Sequence, residues 1–160
     1  VDKQYLQFCC AHFVTMSGAR EPLHGHNYHC SVIVEGDLLP DGFVVDFGDL
    51  KRAARAACDA LDHLVLLPGQ SQEVSVEQTG SAVQVRYRED RFEFPAADVC
   101  VLPIPNTSSE HLARYLSADI LRRLPGEIAK GLRSIRVGVE EAPGQRAYYR
   151  AELNLPWRVT

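Results

Sequence analysis

Leu23-His24-Gly25-His26-Asn27-Tyr28 is the stretch from which the fold of this chain can be read. Side chains two apart on a strand point to one face, so His24 and His26 form a bidentate clamp if the segment is extended. The residues that follow favour strand: Tyr28, Val32 and Val34 carry the run to Glu35, and Gly36 with the turn Pro40-Asp41-Gly42 closes it. Working back toward the N-terminus, Thr15 to Pro22 holds Ser17, Gly18 and Pro22 and reads as a loop. About Gln4 to Val14, with Tyr5, Phe8 and Phe13, reads as a second strand. Antiparallel pairing of the two brings His12 beside His24 and His26. Three imidazoles with one position left open suit a catalytic zinc rather than a structural one, so the pattern predicts Zn2+ held by His12, His24 and His26. His29 has the opposite parity and is expected on the other face. Cys10 shares the parity of His12 and is expected as a small packing residue.

Beyond Val44-Val45, the run Asp46-Phe47-Gly48-Asp49 places an N-cap at Asp46 and a carboxylate, Asp49, at the helix's positive end. Leu50, Ala53, Ala54, Ala57 and Leu61 then recur at helical spacing. A second helix opens at Thr107-Ser108-Ser109-Glu110, which has the form of a capping box, and Leu112, Tyr115, Leu116, Ile120 and Leu124 give it an apolar stripe. Two strands follow, Ser134 to Glu141 and Ala147 to Leu155, joined across Pro143-Gly144. Between the helices, Val74 and Val76, then Val83, Val85 and Tyr87, flank Thr79-Gly80, with Phe92 and Phe94 after them. This alternation predicts an inserted hairpin or small three-stranded unit at about residues 70–100. The sum is ββ-α-(hairpin)-α-ββ: one α+β domain over residues 1–160, a four-stranded antiparallel sheet with two helices on one face.

A chain of 160 residues, 46% of them apolar, can bury a real core. A net charge of −4 offers no broad basic footprint, which argues against a nucleic-acid partner. No apolar run approaches the roughly 18 residues of a membrane span. The opening Val1-Asp2-Lys3-Gln4-Tyr5 lacks the basic and apolar regions of a signal peptide. Five cysteines (Cys9, Cys10, Cys30, Cys58 and Cys100) form an odd set without C-x-x-C spacing, which fits reduced thiols. Together these lead us to expect a cytoplasmic protein.

Three further places carry titratable side chains. Asp62-His63 follows the first helix; a carboxylate beside an imidazole can orient it as a proton shuttle, or the histidine can simply satisfy the last helical carbonyls. Glu141 shares a strand face with Ile135, Val137 and Val139, so it must meet a partner or bind a ligand donor, since an unpaired buried charge is costly. A flat heterocycle with adjacent N–H groups would suit it. Its neighbour Glu140 is expected to face outward and be solvated. Thr107, Ser108 and Ser109 are capping residues first, and the pattern leaves open whether they touch a ligand.

Taken together, Cys9-Cys10-Ala11-His12, the H-G-H-N-Y run at His24–Tyr28, Val45-Asp46-Phe47-Gly48-Asp49-Leu50-Lys51, Leu61-Asp62-His63, Asn106-Thr107-Ser108-Ser109-Glu110 and Val139-Glu140-Glu141 resemble the 6-pyruvoyltetrahydropterin synthase family, which includes the bacterial 6-carboxytetrahydropterin synthases. The resemblance covers nearly the whole chain, with the insertion around Val74–Phe94 outside the common core. It implies a tunnelling fold whose ββααββ subunits pair edge to edge into trimers, two of which make a hexamer; barrel closure would remove exposed strand edges. It also implies active sites between subunits, zinc on His12, His24 and His26, and Glu141 anchoring a pterin ring. Asp62 and His63 would be the acid–base pair, and Thr107, Ser108 and Ser109 would line the pterin pocket. The implied substrate is 7,8-dihydroneopterin triphosphate.

One departure bears on the product. The family's mammalian and 6-carboxytetrahydropterin branches place a catalytic cysteine in the loop before H-G-H, whereas that loop here has none and Glu21 stands three residues before His24. This resembles a branch in which glutamate replaces the cysteine and side-chain cleavage yields 6-hydroxymethyl-7,8-dihydropterin. A carboxylate can accept the proton of a side-chain hydroxyl and so drive retro-aldol cleavage, although a solvated loop residue is the simpler role for Glu21. The preferred expectation is therefore carbon–carbon cleavage with Glu21 as base. The alternatives are a 6-pyruvoyl- or 6-carboxytetrahydropterin synthase, and a homologue that binds zinc and pterin without turnover.

Overall fold

A computed structural model describes residues 1–153. In chain order its elements are β1 (Asp2–His12), β2 (Thr15–Met16), β3 (Ala19–Arg20), β4 (His24–Gly36), α1 (Phe47–Asp59), β5 (Leu64–Pro68), β6 (Ser75–Thr79), β7 (Ala82–Tyr87), β8 (Asp90–Pro95), β9 (Val99–Leu102), α2 (Ser109–Arg123), α3 (Gly126–Gly131), β10 (Leu132–Ala142) and β11 (Gln145–Glu152). The part of the expected last strand that runs past residue 153 lies outside the described residues.

Four strands pair antiparallel in the order β11-β10-β4-β1, as the alternation predicts, and α1 and α2 pack on one face of them. The sheet itself is larger than expected. β5 and β9 add to the β1 edge, both parallel, to give six strands in the order β11-β10-β4-β1-β5-β9. Their sequences, Leu64-Val65-Leu66-Leu67 and Val99-Cys100-Val101-Leu102, are short continuous apolar runs without alternation, although Val101 on the edge strand β9 is exposed. Such runs carry no period that separates strand from loop or helix.

The core lies between one face of the sheet, even-numbered in β1 and β4 and odd-numbered in β10, and the helices. Leu6, Phe8 and Cys10 of β1, Tyr28, Cys30 and Val32 of β4, and Ile135, Val137 and Val139 of β10 are buried against Leu50, Ala54, Ala57, Leu112, Leu116 and Ile120. Asp46 caps α1 as expected, its side chain accepting from the Gly48 N–H. The capping box of α2 does not form. Ser108 sits at the N-cap with its hydroxyl against His111 Nδ1 at 3.1 Å, and the Thr107 hydroxyl donates to the Phe13 carbonyl at 2.7 Å. The Ser108 hydroxyl is thus taken by a side chain in the first turn of α2, and that of Thr107 by a tertiary partner.

The insertion is a separate antiparallel sheet, β6-β7-β8. Val74, Val83, Val85 and Tyr87 build a second apolar cluster with Leu67 and Phe13, the residue that follows His12.

Candidate functional site

Strand register delivers the three histidines. His12 stands directly opposite His24 in the β1–β4 ladder, and His26 is opposite Cys10, one step along the same face. Gly25 between them permits this close pairing, because a Cβ there would stand 3.0 Å from the Cys10 carbonyl oxygen. Ring centroids lie 4.8 Å apart for His12–His24, 5.3 Å for His12–His26 and 4.8 Å for His24–His26. One nitrogen from each falls within 4.8 Å of the other two.

Main-chain carbonyls orient two of the rings. His12 Nδ1 donates to the Thr107 carbonyl at 3.0 Å, and His24 Nδ1 donates to the Pro22 carbonyl at 2.7 Å. Each bond fixes the tautomer that leaves Nε2 with a free lone pair, the outer support that metal-bound histidines commonly have. Burial lowers the pKa of His12 to about 4, so its ring is neutral at ordinary pH and needs no deprotonation to coordinate a cation. His12 Nε2 meets the Tyr28 hydroxyl at 3.2 Å. His26 Nε2 is buried without a hydrogen-bond partner; Glu141 Oε1 is 3.2 Å away but poorly directed. An unsatisfied buried ring nitrogen beside two oriented imidazoles fits a divalent cation, with His12, His24 and His26 as the residues that could hold it.

Beside this cluster a cavity of about 340 Å³ is lined by Glu21, His24, Ser109, Glu110, Glu141 and Arg146 among others. Glu21 Oε2 lies 4.0 Å from His24 Nε2. Glu141 ends the buried face of Ile135, Val137 and Val139, and its Oε2 accepts from the Ser109 hydroxyl at 3.3 Å. Glu140 does point away, but it is ion-paired rather than merely solvated. Arg146 lies 2.5 Å from it, and this bond together with the Gly144 N–H holds the carboxyl below its ordinary pKa. Among the described residues no cysteine lines this cavity.

Asp62 and His63 do not join it within one chain. Asp62 Oδ1 accepts the Cys9 N–H at 2.7 Å, and His63 N–H donates to the Cys9 carbonyl at 2.7 Å. The dyad therefore clamps the main chain of β1 at Cys9, whose side chain belongs to the opposite face from Cys10. The Cys9 N–H is also the chief reason the Asp62 pKa is lowered. His63 Nδ1 lies 3.0 Å from Asp62 Oδ2, and the ring is 80% exposed on a backbone with φ +60°, a conformation that costs a non-glycine residue energy. The dyad lines a separate hollow of about 320 Å³ with Gln7, Cys9, Asn27 and Arg55.

Of the residues expected to bind the pterin, Glu141, Ser108 and Ser109 line the cavity and Thr107 does not. Thr107 is fully buried and acts behind it, through the carbonyl that orients His12. Three contributors went unread in the sequence. Tyr28 shares the parity of His24 and His26, a signal that was available. Asn106 brackets Thr15, accepting its N–H and donating to its carbonyl, and Arg20 holds the Glu21 carbonyl. Neither leaves a mark on local pattern.

Fold and site together define an α+β protein with a three-histidine candidate metal centre beside an acidic cavity. The pattern of the family described as 6-pyruvoyl tetrahydropterin synthase matches residues 3–152, and the chain belongs to that family. Its fold is the family's tunnelling fold: the crystal structure of 6-pyruvoyl tetrahydropterin synthase from Plasmodium vivax superposes with a TM-score of 0.89 at 30% identity, covering 96% of each chain. Two further structures of that enzyme carry alanine or cysteine in place of a glutamate named as a catalytic residue. A protein of Methanocaldococcus jannaschii, provisionally named 6-carboxy-5,6,7,8-tetrahydropterin synthase, is 34% identical over 94% of this chain and 93% of its own. The 6-carboxy-5,6,7,8-tetrahydropterin synthase of Bacillus subtilis is 27% identical over 91% of this chain and 81% of its own. Among the described residues no helix is long and apolar enough to cross a membrane.

Proposed function

We propose that this protein is a zinc-dependent tetrahydropterin synthase acting on 7,8-dihydroneopterin triphosphate, with 6-carboxytetrahydropterin as product. The observation that carries the reading is the convergence of three imidazoles, one with an unsatisfied buried nitrogen, beside a cavity holding Glu21 and Glu141. The names of the curated relatives support the synthase product over the carbon–carbon cleavage preferred from the sequence. Zinc, when bound, supplies a Lewis acid that lowers the pKa of the substrate's side-chain hydroxyls. Glu141, steadied by Ser109, accepts hydrogen bonds from adjacent N–H groups of the pterin ring and fixes its orientation. Glu21 takes a proton from the substrate side chain. Asp62 orients His63 through Nδ1, leaving Nε2 to carry a proton.

The exposed dyad and the cavity lie apart in one chain, so the complete site joins Asp62 and His63 of one copy to the histidine cluster of another. This supports a homo-oligomer, for which the resemblance implies a hexamer of two trimers, and closing the sheet would cover the edges that β11 and β9 leave unpaired among the described residues.

A second reading is favoured by one specific observation: the cavity contains Glu21 and no thiol. A carboxylate that removes the C2′ hydroxyl proton lets the C1′–C2′ bond break: C2′ leaves as the aldehyde of triphosphorylated glycolaldehyde, the bond's electrons pass into the pterin ring, and return of the proton to C1′ gives 6-hydroxymethyl-7,8-dihydropterin. A glutamate is named as a catalytic residue in the Plasmodium vivax structures, which supports a catalytic role for Glu21. Incubating the zinc-loaded protein with 7,8-dihydroneopterin triphosphate and identifying the product by mass separates the readings. A 6-carboxy product supports the first and a 6-hydroxymethyl product the second. Tight pterin binding without turnover would assign the chain to inactive binding homologues.

A further inference from the structure

None of residues 70–100 lines the cavity, yet the inserted sheet holds the loop that presents Glu21. That loop is a miniature hairpin, β2 and β3, turned at Ser17 and Gly18 with φ +53° and +73°. Arg20, at its end, is sandwiched against the insertion. Its guanidinium lies 4.9 Å from the ring centre of Phe92 and 5.5 Å from that of Phe13, with those two rings stacked 5.7 Å apart. Nε and an Nη atom both donate to Asp90 Oδ2, at 3.0 and 2.7 Å. The other Nη donates to the Glu21 carbonyl at 2.6 Å. The Glu21 N–H meanwhile donates to the Val14 carbonyl at 2.9 Å, so both main-chain polar groups of Glu21 are held.

We infer that the insertion is an anchor for the Glu21 loop, with Arg20 the positioning residue that sets the Glu21 carboxylate over the cavity. The inference rests on the reading of Glu21 as the proton acceptor. The sandwich is rigid for physical reasons. Arg20 is only 17% exposed, so its pairing with Asp90 and its cation–π contacts are less screened than those of a surface arginine. One planar group joins the loop to two places, β8 through Asp90 and Phe92, and Phe13 immediately after His12. The same contact therefore ties the loop's position to that of the histidine cluster.

The test uses Arg20→Met, which keeps an apolar stem over the rings but removes the charge and every donor, in the zinc-loaded protein. A misplaced acceptor lowers kcat by about 10- to 100-fold while leaving KM and zinc content near their original values. Arg20→Lys restores only part of the loss, because an ammonium cannot stack and pair in the same fork. The decisive readout is the pair: in a Glu21→Gln background Arg20→Met adds no further loss, since a positioning residue acts only through what it positions. A wild-type kcat in Arg20→Met, or the same fold-loss with Glu21→Gln as without it, overturns the inference. If Arg20→Met does not fold, Asp90→Asn decides by the same two measurements. Full turnover in Glu21→Gln alone is a different result: it removes the reading of Glu21 as proton acceptor, and the inference with it.

Discussion

Cys9 and Cys10 are neighbours in β1, and the groups assembled around them could hardly differ more. On the face of Cys10, the strand runs into three imidazoles, His12 buried and His24 and His26 half-buried, two of them oriented by the carbonyls of Thr107 and Pro22. On the face of Cys9, an exposed histidine and a carboxylate grip the main chain from a strained turn. The first arrangement is pre-organised and dry on its inner side, which suits a bound cation. The second is open and poised, which suits a proton shuttle that must reach out of its own chain. One strand thus separates the two halves of the proposed machinery, and period-two alternation is the cause.

This contrast can be broken at either half. The largest effect is expected at the histidine cluster. His24→Ala lowers bound zinc from about one per chain to near zero and turnover by about a thousandfold, given the several kcal/mol a Lewis acid supplies. Metal analysis alongside kinetics checks it. Dialysis against a chelator should give the same loss, reversed by added zinc.

At the exposed half, His63→Ala should lower kcat by about 10²- to 10⁴-fold, the range of a lost proton shuttle, and leave zinc content unchanged. The two variants then sharpen the comparison. Unfolding and refolding His24→Ala and His63→Ala together should form mixed oligomers that regain turnover neither variant has alone. Absence of recovery in demonstrably mixed oligomers would mean that the halves do not meet across copies.

Smaller effects are expected from the residues that support each half. Tyr28→Phe removes a hydroxyl 3.2 Å from His12 Nε2 and should cost about 0.5–1.5 kcal/mol in stability of the metal-free protein, read by denaturant unfolding. Asp46→Ala removes the α1 cap and should cost about 1 kcal/mol without altering zinc content.

What could be read in the sequence follows the same division. Alternation along His24–Glu35 and Ile135–Glu141 placed the sheet faces, so the convergence of His12, His24 and His26 was legible, and so was the exclusion of His29, which instead reaches the Lys3 carbonyl and Asp2. Helical spacing placed α1, with Leu50, Ala53, Ala54 and Ala57 all buried. The short parallel strands β5 and β9 were not legible, because a run of four or five consecutive apolar residues has no period. Nor was the separation of Asp62 and His63 from the histidines, since adjacency in a motif says nothing about which face a following turn clamps. The capping box at Thr107 failed because its hydroxyls found partners at Phe13 and His111. The Arg20 sandwich joins residues 70 positions apart and lies beyond any local pattern.

X-ray absorption at the zinc edge on the purified protein examines the heart of the account. One zinc per chain, with a first shell of nitrogen and oxygen that includes three imidazoles and is lost in His24→Ala, is the predicted spectrum. A sulfur atom in the first shell would instead point to Cys9 with Asp62 and His63, the other trio of donors within 4.8 Å, and would contradict it.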